Sequence, residues 1–369
     1  MKVLITGSEG FIGKNISIYL RERGFQVLPY TRSSSRDLLS EHVSNADAVI
    51  HLACEIRPKD PQSFISTNVE LTNTLCGLMR SCKKKIPVIY ASSIQAKLAN
   101  PYGESKLKAE KLFESLQADM NLNLAIYRLP NVFGKWSKPN YNSVVATFCY
   151  NIAHGLPIEI SDPSKALQLV YIDDVLASFL KFLLDTSSDL NIYHDIETRY
   201  IVTLSELAEL IYKFKNYRET LFAEEVGSGF VRALYSTYLS YLPVSDFNYP
   251  LFKNIDDRGE FVEVLKTRSS GQISYFTAHP GITRGGHYHH TKTEKFLVIR
   301  GQARFKFRHI ATGESYELFV SGESPEVVDT VPGWSHDITN IGENELVVVL
   351  WANELFDPEN PDTVAMRLS

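Results

Sequence analysis

Cysteine is scarce in this chain. Cys54, Cys76, Cys82 and Cys149 are the only four in 369 residues, all in the first half and at no metal-ligand spacing. This pattern argues against a disulfide scaffold or a thiolate metal site and leaves free thiols, as expected of a cytoplasmic protein. Positive charge is not in excess either. Lys and Arg number 38 against 43 Asp and Glu, a net charge of −5, so there is no basic footprint for nucleic acid. Long apolar runs are missing as well, since no stretch reaches the roughly 18–20 residues of a membrane span. The opening Met1-Lys2-Val3-Leu4-Ile5 stops at Thr6-Gly7. It reads as a strand, because a signal peptide needs a longer apolar core and a small-residue cleavage site. There is no internal repeat, heptad pattern or low-complexity tract. What is present, 44% hydrophobic and 22% charged residues, is globular composition. The length is too great for one ordinary core and implies two domains.

The two halves differ in style. Up to about residue 190, short apolar runs at 3–6, 26–30, 48–52, 88–91 and 124–127 alternate with helical patterns at 11–23, 67–81 and 104–117. Such alternation predicts α/β architecture, a Rossmann-type doubly wound parallel sheet. A further helix is expected over 203–225, broken by Gly227-Ser228-Gly229. Near 243 the texture changes. Pro243, Asp246, Asn248 and Pro250 punctuate the chain, and short strand-like runs follow at 261–266, 272–278, 294–299, 303–309, 315–320 and 346–352. These predict an all-β C-terminal barrel or jelly roll. The expected domains are 1–243 and 244–369.

Gly7-x-x-Gly10-x-x-Gly13 runs from the first strand directly into a helix. Glycines there permit a tight turn and close backbone approach to a pyrophosphate, while the helix N-terminus at Phe11, Ile12 and Gly13 offers unpaired N–H groups. The second strand ends not in an acid but in Tyr30-Thr31-Arg32-Ser33-Ser34. Arg32 suits a 2′-phosphate, so NADPH is expected over NADH.

With these glycines, His51-Leu52-Ala53, Asn68-Val69, Ser92-Ser93, Tyr102-x-x-x-Lys106, Arg128-Leu129-Pro130-Asn131-Val132-Phe133-Gly134 and Tyr171-Ile172-Asp173-Asp174-Val175 resemble the extended short-chain dehydrogenase/reductase family. The resemblance covers about 1–240. It implies that Tyr102 protonates a carbonyl oxygen while hydride arrives from the coenzyme. Lys106 would depress the tyrosine pKa and hold the nicotinamide ribose. Ser93 would hydrogen-bond the substrate oxygen, with Ser92 a close rival. Ala53 would lie against the coenzyme and Asn131 against the substrate. One departure stands out: only nine positions separate Ser93 from Tyr102, where the family usually has a longer insertion.

The C-terminal half carries Gly281-x5-His287-x-His289-x4-Glu294-x6-Gly301 and, later, Pro332-Gly333-x-x-His336-x3-Asn340. His287 and His289 share one face of a strand by their i, i+2 spacing. With Glu294 and His336 they form a donor set for a divalent transition metal. Zinc, iron, nickel and manganese all fit; zinc is expected because no redox step is needed. His290 alternates to the other face, and replaces His289 only if the strand carries a bulge.

Both motifs resemble the cupin family, apart from the adjacency of Pro332 and Gly333. Asp256-Asp257-Arg258-Gly259-Glu260-Phe261 and Arg284-Gly285-Gly286-His287-Tyr288 further resemble cupin-type epimerases and isomerases of nucleotide-linked 4-keto-6-deoxysugars. That resemblance implies Arg284 on the nucleotide phosphates, Arg258 in the substrate site, and His287 as either base or ligand, with ligand favoured. The proton-shuttling base is open; Tyr288, Lys295 and Asp337 are candidates.

A reductase followed by a cupin resembles bifunctional capsular polysaccharide enzymes. The resemblance implies C-3 epimerisation of a UDP-4-keto-6-deoxy-HexNAc, then reduction of the 4-ketone with NADPH to UDP-2-acetamido-2,6-dideoxy-L-talose, on the route to N-acetyl-L-fucosamine. The alternative is a monofunctional 4-keto-sugar reductase whose cupin is structural or dimerising. A homodimer is expected, since both folds commonly self-associate.

Overall fold

The structure, a computed structural model, describes the chain except residues 57, 59, 61–63, 186–190, 356, 360 and 369. Two compact units form: Met1–Ile211 with Arg232–Leu242, and Tyr212–Val231 with Pro243–Ser369.

The first unit is built on β1 (Lys2–Thr6), β2 (Gln26–Tyr30), β3 (Ala48–His51), β4 (Val88–Ser93), β5 (Leu124–Leu129), β6 (Asn131–Phe133), β7 (Ala166–Tyr171), β8 (Tyr193–His194) and β9 (Tyr200–Thr203). Six of them make a sheet in the order β2-β1-β3-β4-β5-β8, parallel throughout. β6, β7 and β9 make a small separate sheet. Val3, Leu4, Ile5, Val49, Ile50, Val88, Ile89, Ala125 and Ile126 are fully covered. Such unbroken apolar strands are what a parallel sheet faced by helices on both sides requires. The helices are α1 (Phe11–Arg21), α2 (Arg36–Asn45), α3 (Leu71–Ser81), α4 (Pro101–Met120), α5 (Val144–Ala153), α6 (Ile172–Leu184), α7 (Leu204–Thr220) and α8 (Gly229–Leu239). A π-helical turn, Ile65–Glu70, leads into α3.

The second unit contains β10 (Phe222–Ala223), β11 (Asn254–Asp256), β12 (Gly259–Thr267), β13 (Gln272–Ala278), β14 (Thr283–Tyr288), β15 (Glu294–Arg300), β16 (Gln302–His309), β17 (Ser315–Ser321), β18 (Val327–Asp329), β19 (Trp334–Asn340), β20 (Leu346–Ala352) and β21 (Val364–Ala365). One sheet runs β10-β12-β13-β20-β15-β18, with β11 on β12, and the other β17-β16-β19-β14-β21. Pairing is antiparallel except for β10, which lies parallel to β12 with Phe222 opposite Lys266. That pairing lies within Tyr212–Val231, which brings the C-terminal half of α7 and the segment after it into this unit. Phe276, Phe296, Val348 and Leu350 of the first sheet share a core with Phe305, Phe307 and Ile338 of the second. Burial of each such side chain is worth about 1.5–3 kcal/mol. The result is a jelly-roll barrel with aromatic walls.

Candidate active sites

At the end of β1 the chain turns on Gly7 at φ +70°, and a Cβ there would stand 2.8 Å from Ala53 N. A Cβ at Gly13 would meet Gly7 O at 2.1 Å. Glycine is therefore required sterically at both positions. Gly10 caps α1 in extended conformation, so the amides of Phe11, Ile12 and Gly13 face out of the helix N-terminus without intrahelical partners. Thr6 Oγ1 accepts the N–H groups of Leu52 and Ala53, both at 3.2 Å, which holds the β3 exit against this turn. The cradle fits a dinucleotide pyrophosphate in its shape and its exposed donors. Arg32 lies on the turn after β2 and pairs with the Glu55 carboxylate, a partner sequence reasoning missed.

Asn100 starts α4 by accepting the Gly103 N–H at 2.8 Å, with Pro101 in the first turn. Tyr102 and Lys106 therefore sit one turn apart on one face. Lys106 is buried; its ammonium donates to Ala91 O at 2.7 Å and lies 4.4 Å from the Tyr90 ring centre. The short Ser93–Tyr102 connection packs tightly, since a Cβ on Gly103 would fall 2.2 Å from Gln95 O. Burial raises the Tyr102 phenol well above its ordinary pKa; Lys106 opposes this without overcoming it, and Cys54 adds to it. The net direction is opposite to the depression expected from sequence, because desolvation is the larger effect. The Cys54 thiol stands 3.9 Å from Tyr102 Oη.

The two serines separate clearly. Ser92 is buried and donates to Glu110 Oε1 at 2.5 Å. Ser93, at the end of β4, accepts the Gln95 N–H at 3.2 Å and keeps its own proton for another acceptor. Glu110, fully buried, also takes a two-point ion pair from Arg128, with bonds of 3.0 and 2.6 Å. Asn131 is exposed on β6, its amide 3.4 Å from Gln168 O.

In the second unit, β14 and β19 bring His287 directly opposite His336. The bulge lies between Gly285 and His287, upstream of the ligand pair. It leaves His287 and His289 in phase, while His290 is exposed with its ring against Tyr288. Donor atoms of His287, His289, Glu294 and His336 all lie within 4.8 Å of one another. His289 Nε2 stands 3.2 Å and His336 Nε2 3.5 Å from Glu294 Oε2. Both ring nitrogens of His336 are buried without a hydrogen-bond partner. Three imidazoles and a carboxylate converging around such orphaned nitrogens fit a divalent metal.

Burial opposes ionisation of Glu294, yet the neighbouring imidazoles and Lys292 outweigh it and hold its carboxyl far below the usual range. His287 is drawn down to about 4 by burial and by His336. His289 Nδ1 bonds the Asp362 carbonyl, which leaves Nε2 as the nitrogen available to a metal. The Asp362 carboxylate accepts the backbone N–H groups of His290, Thr291 and Lys292 at 2.9, 2.7 and 2.8 Å, clamping the turn between the ligands.

The cluster opens into a cavity of about 310 Å³ walled by Phe261, Phe276, Phe296, Phe305 and Leu350. Arg284, Glu263, Gln272 and Lys292 add polar groups to its lining. Arg284 donates to Thr277 O at 2.9 Å, and its buried Nη2 makes no hydrogen bond, standing 3.8 Å from Asp256 Oδ1. Arg258 is outside that lining, paired with Asp256 at 2.5 Å. None of the three base candidates lines the cavity. Lys295 pairs with Asp329 at the surface, and Asp337 and Tyr288 alternate away from the ligands. Lys292, 3.2 Å from Glu294 Oε1, was missed.

Fold and sites together define the class: a short-chain dehydrogenase/reductase-type unit of nicotinamide-dependent architecture, joined to a cupin-type barrel with a His/Glu cluster that could hold a metal. Family models agree. Residues 3–193 match the NAD dependent epimerase/dehydratase family, and 254–364 match the polysaccharide biosynthesis C-terminal domain. A UDP-2-acetamido-2,6-beta-L-arabino-hexul-4-ose reductase of Pseudomonas aeruginosa is 54% identical over 366 residues, 99% of this chain and 98% of its own. The crystal structure of capsular polysaccharide assembling protein CapF from Staphylococcus aureus superposes with a TM-score of 0.93 at 41% identity, covering 100% of both chains. The UDP-glucose 4-epimerase of Thermotoga maritima shares the fold over 65% of this chain, with a TM-score of 0.57 at 20% identity. The chain belongs to the NAD dependent epimerase/dehydratase family, among its CapF-like members with a polysaccharide biosynthesis C-terminal domain. Among the described residues, no helix is long and apolar enough to cross a membrane.

Proposed function

We propose that this chain is a bifunctional nucleotide-sugar enzyme of capsular polysaccharide synthesis. Residues 244–369 invert C-3 of a UDP-4-keto-6-deoxy-HexNAc, and residues 1–243 then reduce the 4-ketone to give UDP-2-acetamido-2,6-dideoxy-L-talose. The order follows from chemistry. A proton next to a ketone is acidic only while the ketone exists, so inversion precedes reduction. The observation that carries the reading is that the His/Glu set opens into a cavity containing Arg284 instead of being sealed in the core. A purely structural metal site is closed.

Gly7, Gly10, Phe11, Ile12, Gly13, Ala53 and Arg32 would hold NADPH, which would supply hydride, and His287, His289, Glu294 and His336 would hold a divalent ion, zinc by preference, which would supply Lewis acidity. Tyr102 gives its phenolic proton to the C-4 oxygen. Its burial keeps it protonated beforehand. Ser93 donates a hydrogen bond to the same oxygen, and Lys106 sets the local field and holds the nicotinamide ribose. Arg284 meets the diphosphate from within the cavity, with Arg258 nearby in the substrate site. Asn131 touches the sugar. The aromatic walls of the barrel cavity exclude water, which strengthens the electrostatic contacts of Arg284 and the His/Glu set there. The chain acts as a cytoplasmic homodimer.

The Pseudomonas relative is named for reduction alone. That supports a second reading, a monofunctional reductase with a structural or dimerising cupin. Product analysis by mass spectrometry and NMR separates the two. Incubating UDP-4-keto-6-deoxy-HexNAc without NADPH should yield the inverted ketone, and adding NADPH should yield the talo product. Reduction with retention at C-3 would favour the second reading.

A further inference from the structure

We propose that Glu55 sets the coenzyme preference of the first unit by competing with a 2′-phosphate for Arg32. The inference rests on the proposed role of Arg32 in recognising that phosphate. Sheet order places β1 between β2 and β3. The turn after β2, which carries Arg32, and the segment after β3, which carries Glu55, therefore flank the Gly7 turn. An ion pair between them crosses the end of β1, the crevice where this fold takes its dinucleotide.

The two partners are held differently. Glu55 is anchored: its N–H donates to Asn68 Oδ1 at 2.7 Å, and Asn68 Nδ2 donates back to Glu55 O at 3.1 Å. Asn68 in turn donates to Ser105 of α4 at 3.0 Å. The Glu55 side chain is 15% exposed, whereas Arg32 is 83% exposed. The anion is thus the fixed member and the guanidinium the one free to turn. Glu55 holds Arg32 in the free protein, and a 2′-phosphate dianion must displace it to take the same guanidinium. A ribose 2′-hydroxyl carries no such charge and gains a nearby acceptor, the role an acid has in NAD-binding sites. Glu55 therefore weakens NADPH binding while sparing NADH, narrowing the preference that Arg32 creates.

Coenzyme binding to the full chain, read by fluorescence titration without turnover, tests this. Glu55→Gln should tighten NADPH about two- to five-fold at low salt, the range of an exposed ion pair. The gain should shrink at high ionic strength. NADH should not tighten. In an Arg32→Ala background, Glu55→Gln should lose most of its effect. NADPH affinity that is unchanged or weaker in Glu55→Gln, or a gain that persists without Arg32, overturns the inference. Arg32→Ala reads the premise separately: if that variant binds NADPH like the wild type, the assignment of Arg32 fails and the inference with it.

Discussion

Ser92 Oγ lies 2.5 Å from Glu110 Oε1, and this one bond separates two adjacent serines that sequence ranks only narrowly, Ser93 ahead of Ser92. Ser92 is spent on a buried carboxylate that also binds Arg128. Ser93 accepts the Gln95 N–H and keeps its hydroxyl proton uncommitted. Ser93→Ala should lower kcat/KM for ketone reduction by on the order of 10²–10³, the cost of losing one donor to a developing oxyanion. Ser92→Ala should leave kcat/KM close to wild type but destabilise the fold by about 1–3 kcal/mol, because a buried acceptor loses its donor. Steady-state kinetics and denaturant melts on both variants check the division of roles.

His51 gives the first unit a pH-dependent stability. It is fully buried between Thr6 Oγ1 at 2.8 Å and Thr72 Oγ1 at 3.0 Å. Burial, helped by Lys106, lowers its pKa to about 3. The unfolded chain takes up a proton near pH 6.5 that the folded chain refuses, so the contribution is complete above that pH. It is lost as pH falls from about 6.5 toward 3, with a limiting slope of about 1.4 kcal/mol per pH unit. His51→Gln, which keeps both a donor and an acceptor, should flatten the stability profile over this window in equilibrium melts.

Asp362 is 70 to 72 positions from the residues whose backbone it clamps, and its carboxyl is held well below the usual range by those N–H groups. Asp362→Ala should release the 290–292 turn and weaken metal retention about 10–100-fold, the usual cost of losing support for a ligand. Competition with a chelator, followed by metal analysis, measures this. Affinity equal to wild type would show that the turn holds its shape by other means.

The residues that explain these behaviours differ in how legible they were. The parallel strands and the body of the motif-bearing helix α4 were readable because apolar patterning is a local signal, although the helix starts at Pro101, three residues before the expected 104. Helix α2 was not, since only Leu39 and Val43 of its residues are buried and its apolar stripe is thin. The helix expected over 203–225 ends at Thr220, because Phe222 and Ala223 pair with β12, a contact more than 40 residues away. The four residues of the His/Glu cluster were visible through strand alternation and turn spacing. Asp362 and Glu55 were not, as each acts on a segment distant in sequence. The sign of the Tyr102 shift was also hidden, because burial is a tertiary quantity and outweighs the adjacent lysine.

The most direct test of two working pockets is deuterium uptake. The 4-keto sugar nucleotide is incubated in D₂O without NADPH, and its C-3 position is read by NMR. The wild type and Tyr102→Phe should both incorporate deuterium, while His336→Ala should not. With NADPH added, Tyr102→Phe should fail to reduce the ketone. No incorporation by the wild type, or equal incorporation by His336→Ala, would contradict an epimerising barrel.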